Sequence, residues 1–405
     1  MKNNWKIIEL GNVCKFKYGK GLPKRKRLNG IYPVYGSGGI VDYNKDYYIK
    51  GPGIIVGRKG TIGSVYFEKR NFFPIDTVFY IEENKDVYDI RFLYYMLINL
   101  GLSRLNSDAA VPGLNRNIAY RQEISLPPLN VQRKISSILS AYDNLIENNT
   151  RRIKILEEMA QLIYREWFVN FRFPGHEKVK FINSELGKIP EGWEVLQLGE
   201  ILESIESGSR PKGGIDPEEQ GVPSVGAENV LGLGRYNFGK EKYVSEGFYE
   251  SMRKGKIKSG DVLLYKDGAK IGRKSMFRDG FPHTVCCINE HVFILRTNSK
   301  CSQNYLYFYL DRSDITEKII NLNANSAQPG INQAGVKSLP FLLPPENLIR
   351  LFDYKVDSII GLLFNLAKKN QVLRKKRDLL LPKLISGELD VSELDIALEG
   401  KNEQR

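Results

Sequence analysis

The sequence holds little cysteine and histidine and no long apolar run. Four cysteines in 405 residues are too few for a disulfide framework, which indicates a reducing compartment. The histidines (His176, His283 and His291) offer little material for a zinc centre or a Ser-His-Asp triad. The longest apolar run, residues 359–364, is far too short to span a membrane, and the first residues lack the apolar segment of a signal peptide. We therefore expect a cytoplasmic protein that does not contact membranes.

Positive charge predominates and is locally concentrated. Lys and Arg number 60 against 47 Asp and Glu, which gives a net charge of +13 and a pI near 9.3. Residues 15–27 contain basic side chains and no acidic one. Such a cluster attracts phosphates, so a polyanionic partner is expected. The alternative is a basic surface that serves solubility alone.

The chain contains an internal repeat. Pro112-Gly113-Leu114-Asn115 returns as Pro329-Gly330-Ile331-Asn332, and Leu126-Pro127-Pro128 returns as Leu343-Pro344-Pro345, both 217 residues later (329 − 112 and 344 − 127). A Trp…Leu-Gly start at Trp5 returns at Trp193. Each copy has short β-branched or aromatic runs between glycines and prolines, which predicts a mixed domain with several strands. A repeat of this size predicts two similar domains with the same task on two related targets.

A long amphipathic helix is expected after each copy, over residues 130–170 and 347–386. Apolar residues recur at heptad spacing, which favours pairing as an antiparallel coiled coil. The domains would then lie at opposite ends of a rod of roughly 60 Å, related by a pseudo-two-fold axis. Such a rod would suit two domains that read opposite strands of a bipartite site. Asn149 and Asn370 interrupt the apolar seams near the helix midpoints, where a matched pair would fix the register. The alternative is that both amides face water or a partner subunit.

Two glycine loops, residues 57–63 and 266–272, occupy similar places in the two copies. Glycines let a backbone approach phosphates, and the basic side chains in the loops supply charge. A hairpin turn with solvated charges is the alternative. Basic loops also follow the first strand of each copy, near tyrosines and Asn229 that can stack on bases or bond to them. The residues expected to contact DNA are Tyr18, Lys20, Lys24, Arg25, Lys26, Arg27, Tyr35, Ser37, Arg58, Lys59, Thr61, Asn115, Ser209, Arg210, Lys212, Asn229, Lys266, Lys270, Arg273, Gln328 and Asn332.

Signals for catalysis are weak. Asp76 and the stretch Glu83-Asn84-Lys85 are only faintly similar to a nuclease arrangement, and the second copy lacks them. His283, Cys286, Cys287 and His291 fall on or directly before one strand-like run, residues 284–295, whose alternation would place them on opposite faces. The cofactor loop and catalytic loop typical of a DNA methyltransferase are missing. The sequence therefore predicts no catalytic residue, no metal site and no cofactor.

Together these features resemble the specificity subunit of type I restriction–modification systems. The most specific matches are residues 164–169 (Tyr-Arg-Glu-Trp-Phe-Val) and 380–389 (Leu-Leu-Pro-Lys-Leu-Ile-Ser-Gly-Glu-Leu), which end the two helices. The domain starts, the Pro-Gly turns and the Leu-Pro-Pro exits also fit, so the resemblance covers residues 5–395.

The resemblance implies an α+β fold with two target recognition domains (residues 1–129 and 171–346, the latter with a linker), two spacer helices and a tail from residue 387. It implies a non-catalytic chain that binds double-stranded DNA and assembles with two modification subunits, which bring S-adenosylmethionine and methylate adenine. Some systems add restriction subunits that use ATP. A chain that is itself a DNA methyltransferase or nuclease is the alternative, and the missing cofactor loops argue against it.

Overall fold

The computed structural model describes residues 5–105, 113–216, 218–322 and 330–396. The chain divides into two compact units. The first runs to Ile146 and resumes at Leu373, and the second is Glu147–Val372. The two longest helices pass from one unit to the other, so each unit contains one mixed domain and a part of both helices.

The first unit contains the elements of the first repeat. Its strands are β1 (Lys6–Glu9), β2 (Lys17–Tyr18), β3 (Tyr32–Gly36), β4 (Gly39–Asn44), β5 (Gly53–Gly57), β6 (Val65–Glu68), β7 (Phe73–Pro74), β8 (Val78–Glu82) and β9 (Glu123–Leu126). Its helices are α1 (Leu10–Val13), α2 (Ile90–Leu100), α3 (Arg116–Tyr120) and the first part of α4 (Leu129–Phe168).

The second unit begins within α4 and contains the second repeat. A hairpin of β10 (Phe181–Ser184) and β11 (Gly187–Pro190) follows the helix. The other strands are β12 (Glu194–Gln197), β13 (Leu202–Ser207), β14 (Val222–Val225), β15 (Tyr243–Val244), β16 (Val262–Tyr265), β17 (Lys274–Met276), β18 (Cys287–Ile288), β19 (Val292–Thr297) and β20 (Pro340–Leu343). The helices are α5 (Glu246–Ser251), α6 (Gln303–Asp311), α7 (Ser313–Asn321), α8 (Gln333–Lys337) and most of α9 (Glu346–Ser386).

The two units share one sheet topology. Each has a four-stranded sheet, in the order β2-β8-β5-β6 or β13-β19-β16-β17. Each also has a three-stranded sheet, β4-β3-β7 or β15-β14-β18, in which the last pair is parallel. A two-stranded ladder, β1-β9 or β12-β20, joins the start of each repeat to its end. The internal repeat expected from the sequence is confirmed at the level of strand order.

Local sequence explains where the domain helices begin and end. The Asp89 carboxylate accepts a hydrogen bond from the Phe92 amide and caps α2, and Ser302 caps α6 in the same way through the Tyr305 amide. Gly101 ends α2 with a φ of 66°, a conformation that costs glycine little. The apolar residues from Arg91 to Leu105 have helical spacing, yet α2 ends at Leu100, and a 3₁₀ turn at Leu102–Leu105 follows it.

The long helices pack against each other in antiparallel fashion within each unit. In the first unit Arg377 of α9 bonds to the Asp143 carboxylate of α4 at 2.5 Å. In the second unit Phe352, near the start of α9, packs on Phe168, at the end of α4, with ring centroids 5.1 Å apart. The buried positions follow the expected seams, which include Ile135, Leu139, Ile146, Ile153, Ala160, Val356, Leu363, Leu366 and Leu384. The helix ends lie within two residues of their expected positions.

Asn149 and Asn370 meet in the second unit. The Asn149 amide nitrogen donates to the Asn370 carbonyl oxygen at 2.9 Å, and both residues are buried. The Asn370 amide nitrogen lies 3.2 Å from the Thr150 hydroxyl, to which it donates. Of the two arrangements considered from the sequence, the structure has the paired one. The proposed role of this pair in setting the helix register stays a prediction.

Polar contacts also hold each mixed domain on the helices. In the first unit the Tyr95 hydroxyl of α2 donates to Asp143 at 2.6 Å. In the second, Arg235 donates to both carboxylate oxygens of Glu157 at 2.9 and 3.0 Å, and Arg278 bonds to Asp357 at 2.8 Å. Ionic contacts with two hydrogen bonds restrict orientation more than a single bond does. Each domain is thereby oriented on its own stretch of helix.

The structure also describes the cysteines and the apolar character of the helices. All four cysteines are free and buried, and burial raises the pKa of Cys14 to about 12 and that of Cys287 to about 11. Among the helices of the described ranges, none is both long and apolar enough to cross a membrane.

Candidate nucleic-acid interface

The glycine loop of each unit pairs with the recurring Pro-Gly turn. In the first unit Lys59 bridges Gly113, and the Leu114 amide donates to the Arg58 carbonyl at 2.9 Å. In the second unit Asp267 bridges Gly330, and the Ile331 amide donates to the Lys266 carbonyl at 2.9 Å. The prolines of both turns, Pro112 and Pro329, lie outside the described residues. Residues far apart in the sequence therefore build one surface, and both units build it in the same way.

The asparagine of each turn caps the helix that follows. Asn115 Oδ1 accepts from the Asn117 amide at 2.9 Å at the start of α3, and Asn332 Oδ1 accepts from the Gly335 amide at 2.8 Å at the start of α8. This is the usual N-cap geometry, and it gives the repeated Pro-Gly-x-Asn a structural reason. Both residues are exposed, so the predicted DNA contact stays a prediction.

An arginine–tyrosine cluster lines a depression beside the turn of the first unit. The Cζ atoms of Arg58 and Arg116 each lie 5.1 Å from the centre of the Tyr18 ring. The depression has a volume of about 360 Å³ and is also lined by Lys59, Phe79 and Asn115. Within the described ranges, the Nε atoms of both arginines are buried without a hydrogen-bond partner. Two fixed cations stacked on one ring form a site for an anionic or electron-rich ligand.

Acidic groups line the corresponding loops of the second unit. His291 Nδ1 lies 2.8 Å from Asp267 Oδ2, and Arg210 is paired with Glu290 at 2.6 Å. Lys266 Nζ lies 4.9 Å from the centre of the Phe293 ring. Each glycine loop contains two basic residues, but the second also contains Asp267 where the first has Lys59, so the net charge of the second loop is lower by one.

The basic run of the first unit lies at the surface. Lys24–Lys26 form a 3₁₀ turn with exposed side chains, and Lys20 Nζ lies 5.5 Å from the centre of the Tyr48 ring. Arg27 differs, because its guanidinium donates to Asp42 at 3.2 Å and to the Leu22 carbonyl at 3.2 Å. Arg27 therefore holds its loop together, and we no longer expect this side chain to contact a phosphate.

Two predicted contact residues are buried. The Tyr35 hydroxyl donates to Glu68 at 3.0 Å. Burial raises the pKa of Tyr35, and the negative charge of Glu68 raises it further. Asn229 is 2% exposed and bonds to the Gly226 amide and the Asn237 carbonyl. Neither side chain can reach DNA from these positions, so both assignments are corrected. The sequence pattern did not reveal this because the burial of Tyr35 depends on how β3 packs, and the burial of Asn229 depends on its hydrogen bonds to the backbone of its own loop.

The other predicted contact residues fall into three groups. Ser37 supports the first glycine loop, because its hydroxyl accepts from the Thr61 amide at 3.4 Å and its carbonyl accepts from the Ser64 hydroxyl at 2.6 Å. Gln328 lies outside the described residues. The remaining residues are exposed or half-buried on the loops of their units, and their DNA contacts stay predictions; they are Lys59, Thr61, Ser209, Lys212, Lys270 and Arg273.

The sequence analysis did not identify Arg116 as a contact residue. It follows the capping Asn115 at the first position of α3, and only the fold brings it to Tyr18. A local signal was nevertheless present, since the residue after a repeated capping asparagine occupies the same place in both units.

The residues considered for metal binding do not form a metal site. Their run consists of two strands, β18 and β19, separated by a turn, and not of one continuous strand. No group of three or more His, Cys, Asp or Glu suited to a metal ion occurs among the residues described.

Comparison with known proteins gives consistent similarities. A family model for the type I restriction modification DNA specificity domain matches residues 2–158 and 190–348. The chain is 28% identical over 317 residues to the MjaIX type I restriction enzyme specificity subunit of Methanocaldococcus jannaschii, covering 76% of this chain and 71% of that protein. It is 25% identical to the MjaVIII specificity subunit of the same organism, covering 97% and 94% of the two chains.

A solved structure shares the fold. The type I restriction–modification S subunit from M. genitalium superposes with a TM-score of 0.56 at 20% sequence identity, over 95% of this chain and 97% of that one.

Proposed function

The chain belongs to the family of type I restriction–modification DNA specificity proteins, and we propose that it reads a split DNA site, one half with each mixed domain. The observation that carries this proposal is the repeated surface. Both units pair a glycine loop with a capped Pro-Gly turn, yet the side chains on the two surfaces differ. The same backbone with different side chains is what recognition of two different half-sites requires.

Double-stranded DNA is the partner that the charge favours. A net charge of +13 and the exposed basic turn at Lys24–Lys26 provide phosphate contacts that are independent of sequence. The half-buried guanidiniums at the depression provide directed donors in addition. Contacts to phosphates position a protein on the duplex, and directed donors select the base.

The chemistry belongs to other subunits in this proposal. The chain would dock two modification subunits, which methylate adenine, and would itself turn nothing over. In a complete system restriction subunits would join the complex, and the cytoplasm is the compartment in which this chain would meet its DNA. Purified alone with DNA, labelled S-adenosylmethionine and Mg²⁺, the chain should transfer no methyl group and cut no strand. Turnover by the chain alone would favour the alternative of a catalytic methyltransferase or nuclease.

An exposed apolar stripe on α4 supports docking of a partner. Ile155, Met159 and Leu162 recur at helical spacing on α4 and are 47–54% exposed, and Val169, which directly follows the helix, is 37% exposed. Leu162 and Val169 also border a cleft of about 570 Å³ between the end of α4 and α6. A contiguous apolar stripe on an otherwise charged helix is a typical protein interaction surface.

The proposal is tested by the methylated motif. Assembled with its modification subunits and given a library of randomised DNA, the chain should yield a motif with two short blocks separated by a gap of fixed length. A single continuous block would contradict recognition by two domains.

Salt dependence tests the phosphate contacts. Replacing Lys24, Arg25 and Lys26 together by glutamine should weaken binding to every DNA sequence alike. It should also flatten the log–log dependence of affinity on salt by about 0.9 per lost contact, because each contact releases condensed counterions. The measurement is DNA affinity of the assembled complex between low and moderate salt. Lys85→Gln, at an exposed lysine paired with Glu83, is the control and should leave the slope unchanged. An unchanged slope in the triple variant would return this turn to a solvated surface.

A further inference from the structure

Three side-chain positions of the first unit have structural counterparts in the second. Tyr18 lies opposite Phe79 in the β2–β8 ladder, and Ser207 lies opposite Phe293 in the β13–β19 ladder. Phe79 in turn lies opposite Val56 of β5, and Phe293 opposite Leu264 of β16. The two ladders therefore place Tyr18 and Ser207 at the same point of the repeated sheet.

The other two positions follow from the Pro-Gly turns. The Arg58 and Lys266 carbonyls accept the equivalent amide of the turn, both at 2.9 Å. Arg116 and Gln333 are the residues that follow the capping asparagines at the starts of α3 and α8. The set Tyr18, Arg58 and Arg116 thus corresponds to the set Ser207, Lys266 and Gln333. The backbone is repeated at all three positions, and the side-chain chemistry differs at each.

The first set is built for directional contacts. Arg58 and Arg116 stack on one ring, which restricts the rotation of both guanidiniums. Their Nε donors are buried without a partner in the described parts of the chain, and both arginines line the depression. One terminal nitrogen of each is anchored to the backbone: Arg58 Nη2 donates to the Asp76 carbonyl at 2.7 Å, and Arg116 Nη1 to the Phe16 carbonyl at 3.5 Å. The other terminal N–H groups stay available to a ligand. A planar donor held in this way suits bidentate bonding, whereas the exposed side chains of Lys24 and Lys26 act as mobile point charges.

We propose that these two sets are the specificity-determining positions of the two domains. In the first domain Arg58 and Arg116 donate to guanine O6 and N7 in the major groove, with Tyr18 holding them in place. In the second domain the Lys266 ammonium, which lies 4.9 Å from the centre of the Phe293 ring, donates to guanine as a single charged group, and Gln333 pairs with adenine N6 and N7. This inference rests on the proposed function and assigns the base-contacting residues within it.

The test is a reciprocal exchange in the full chain, assembled with its modification subunits. Arg116→Gln should change the preferred base at one position of one block from guanine to adenine and should leave the other block and the gap unchanged. A good bidentate contact corresponds to discrimination of roughly 5- to 150-fold at that position. Gln333→Arg should produce the opposite change, from adenine to guanine, in the other block. The readout is the methylated motif selected from randomised DNA.

Two further variants control for indirect effects. Arg121→Gln alters an exposed arginine at the end of the same short helix that does not line the depression, and it should leave both blocks unchanged. Tyr18→Phe keeps the ring and should preserve the motif, whereas Tyr18→Ala should relax the choice of base in the same block as Arg116→Gln.

The outcomes separate this inference from the proposed function. An unchanged motif in Arg116→Gln would overturn the inference, as would equal weakening on all sequences, which would identify a phosphate contact. In both cases the two-block motif of the unaltered chain would still support the proposed function. The retained second block shows that the variant chain is folded and assembled. If the unaltered chain gives no two-block motif, the proposed function fails instead.

Discussion

Replacing Asn149 with leucine is expected to lower the free energy of unfolding by about 1–3 kcal/mol, because the buried Asn370 carbonyl then loses the Asn149 donor. Asn370→Leu should have an effect of similar size for the reciprocal reason. The double replacement should be at least as stable as the original chain, since two leucines form an apolar layer that needs no hydrogen bond. The effects of the single replacements should therefore not add.

Denaturant unfolding of the four chains measures this coupling. Asn148→Leu, at an exposed position beside Asn149, is the control and should change stability by less than about 0.5 kcal/mol. In the assembled enzyme the double variant should also methylate sites with more than one gap length, because a matched amide pair penalises shifted registers. Additive losses, or a gap that stays fixed in the double variant, would show that this pair does not set the register.

Placing a charge on the apolar stripe should disrupt assembly. Met159→Glu puts a carboxylate between Ile155 and Leu162 on the exposed face of α4, and a docked partner would have to bury it. We expect the affinity for the modification subunits to fall by about 2–4 kcal/mol, or roughly 30- to 1000-fold. Titration of labelled chain with modification subunits measures the change.

Lys154→Glu is the matched control for this variant. Lys154 is 76% exposed and lies away from the stripe on the same helix, so the same side chain is introduced at a position that a partner on the stripe would leave in water. Its affinity should stay near that of the unaltered chain, and both variants should unfold at similar denaturant concentrations. Equal loss of affinity in both variants would point to general charge repulsion, and no loss in either would remove the stripe as a docking surface.

The sequence was sufficient for the features that depend on local periodicity. The seams of α4 and α9 could be read from heptad spacing, and the meeting of Asn149 with Asn370 follows from antiparallel pairing near the helix midpoints. The repeat could be read because Pro-Gly-x-Asn has a backbone task, the N-cap of a short helix, that few other residues perform. Each of these patterns is contained in a short stretch of sequence and does not depend on tertiary packing.

The contact residues were harder to assign because exposure depends on tertiary packing. Tyr35 looked like Tyr18 in the sequence, yet β3 places the first in the core, while Tyr18 on β2 is 51% exposed. Arg27 belonged to a basic run, but its guanidinium forms an ion pair with Asp42 on β4. Arg116 stood outside every basic cluster and reaches Tyr18 only through the fold.

The most direct test of recognition by two domains is an exchange of one domain. Replacing residues 10–122 by the equivalent segment of a relative keeps the paired strands β1 and β9, which hold the two junctions together. Sequencing of the methylated motif, with the exchanged chain assembled with its modification subunits, should then show one block replaced by that of the relative and the other block unchanged. A change in both blocks, or in neither, would contradict the assignment of one half-site to each domain.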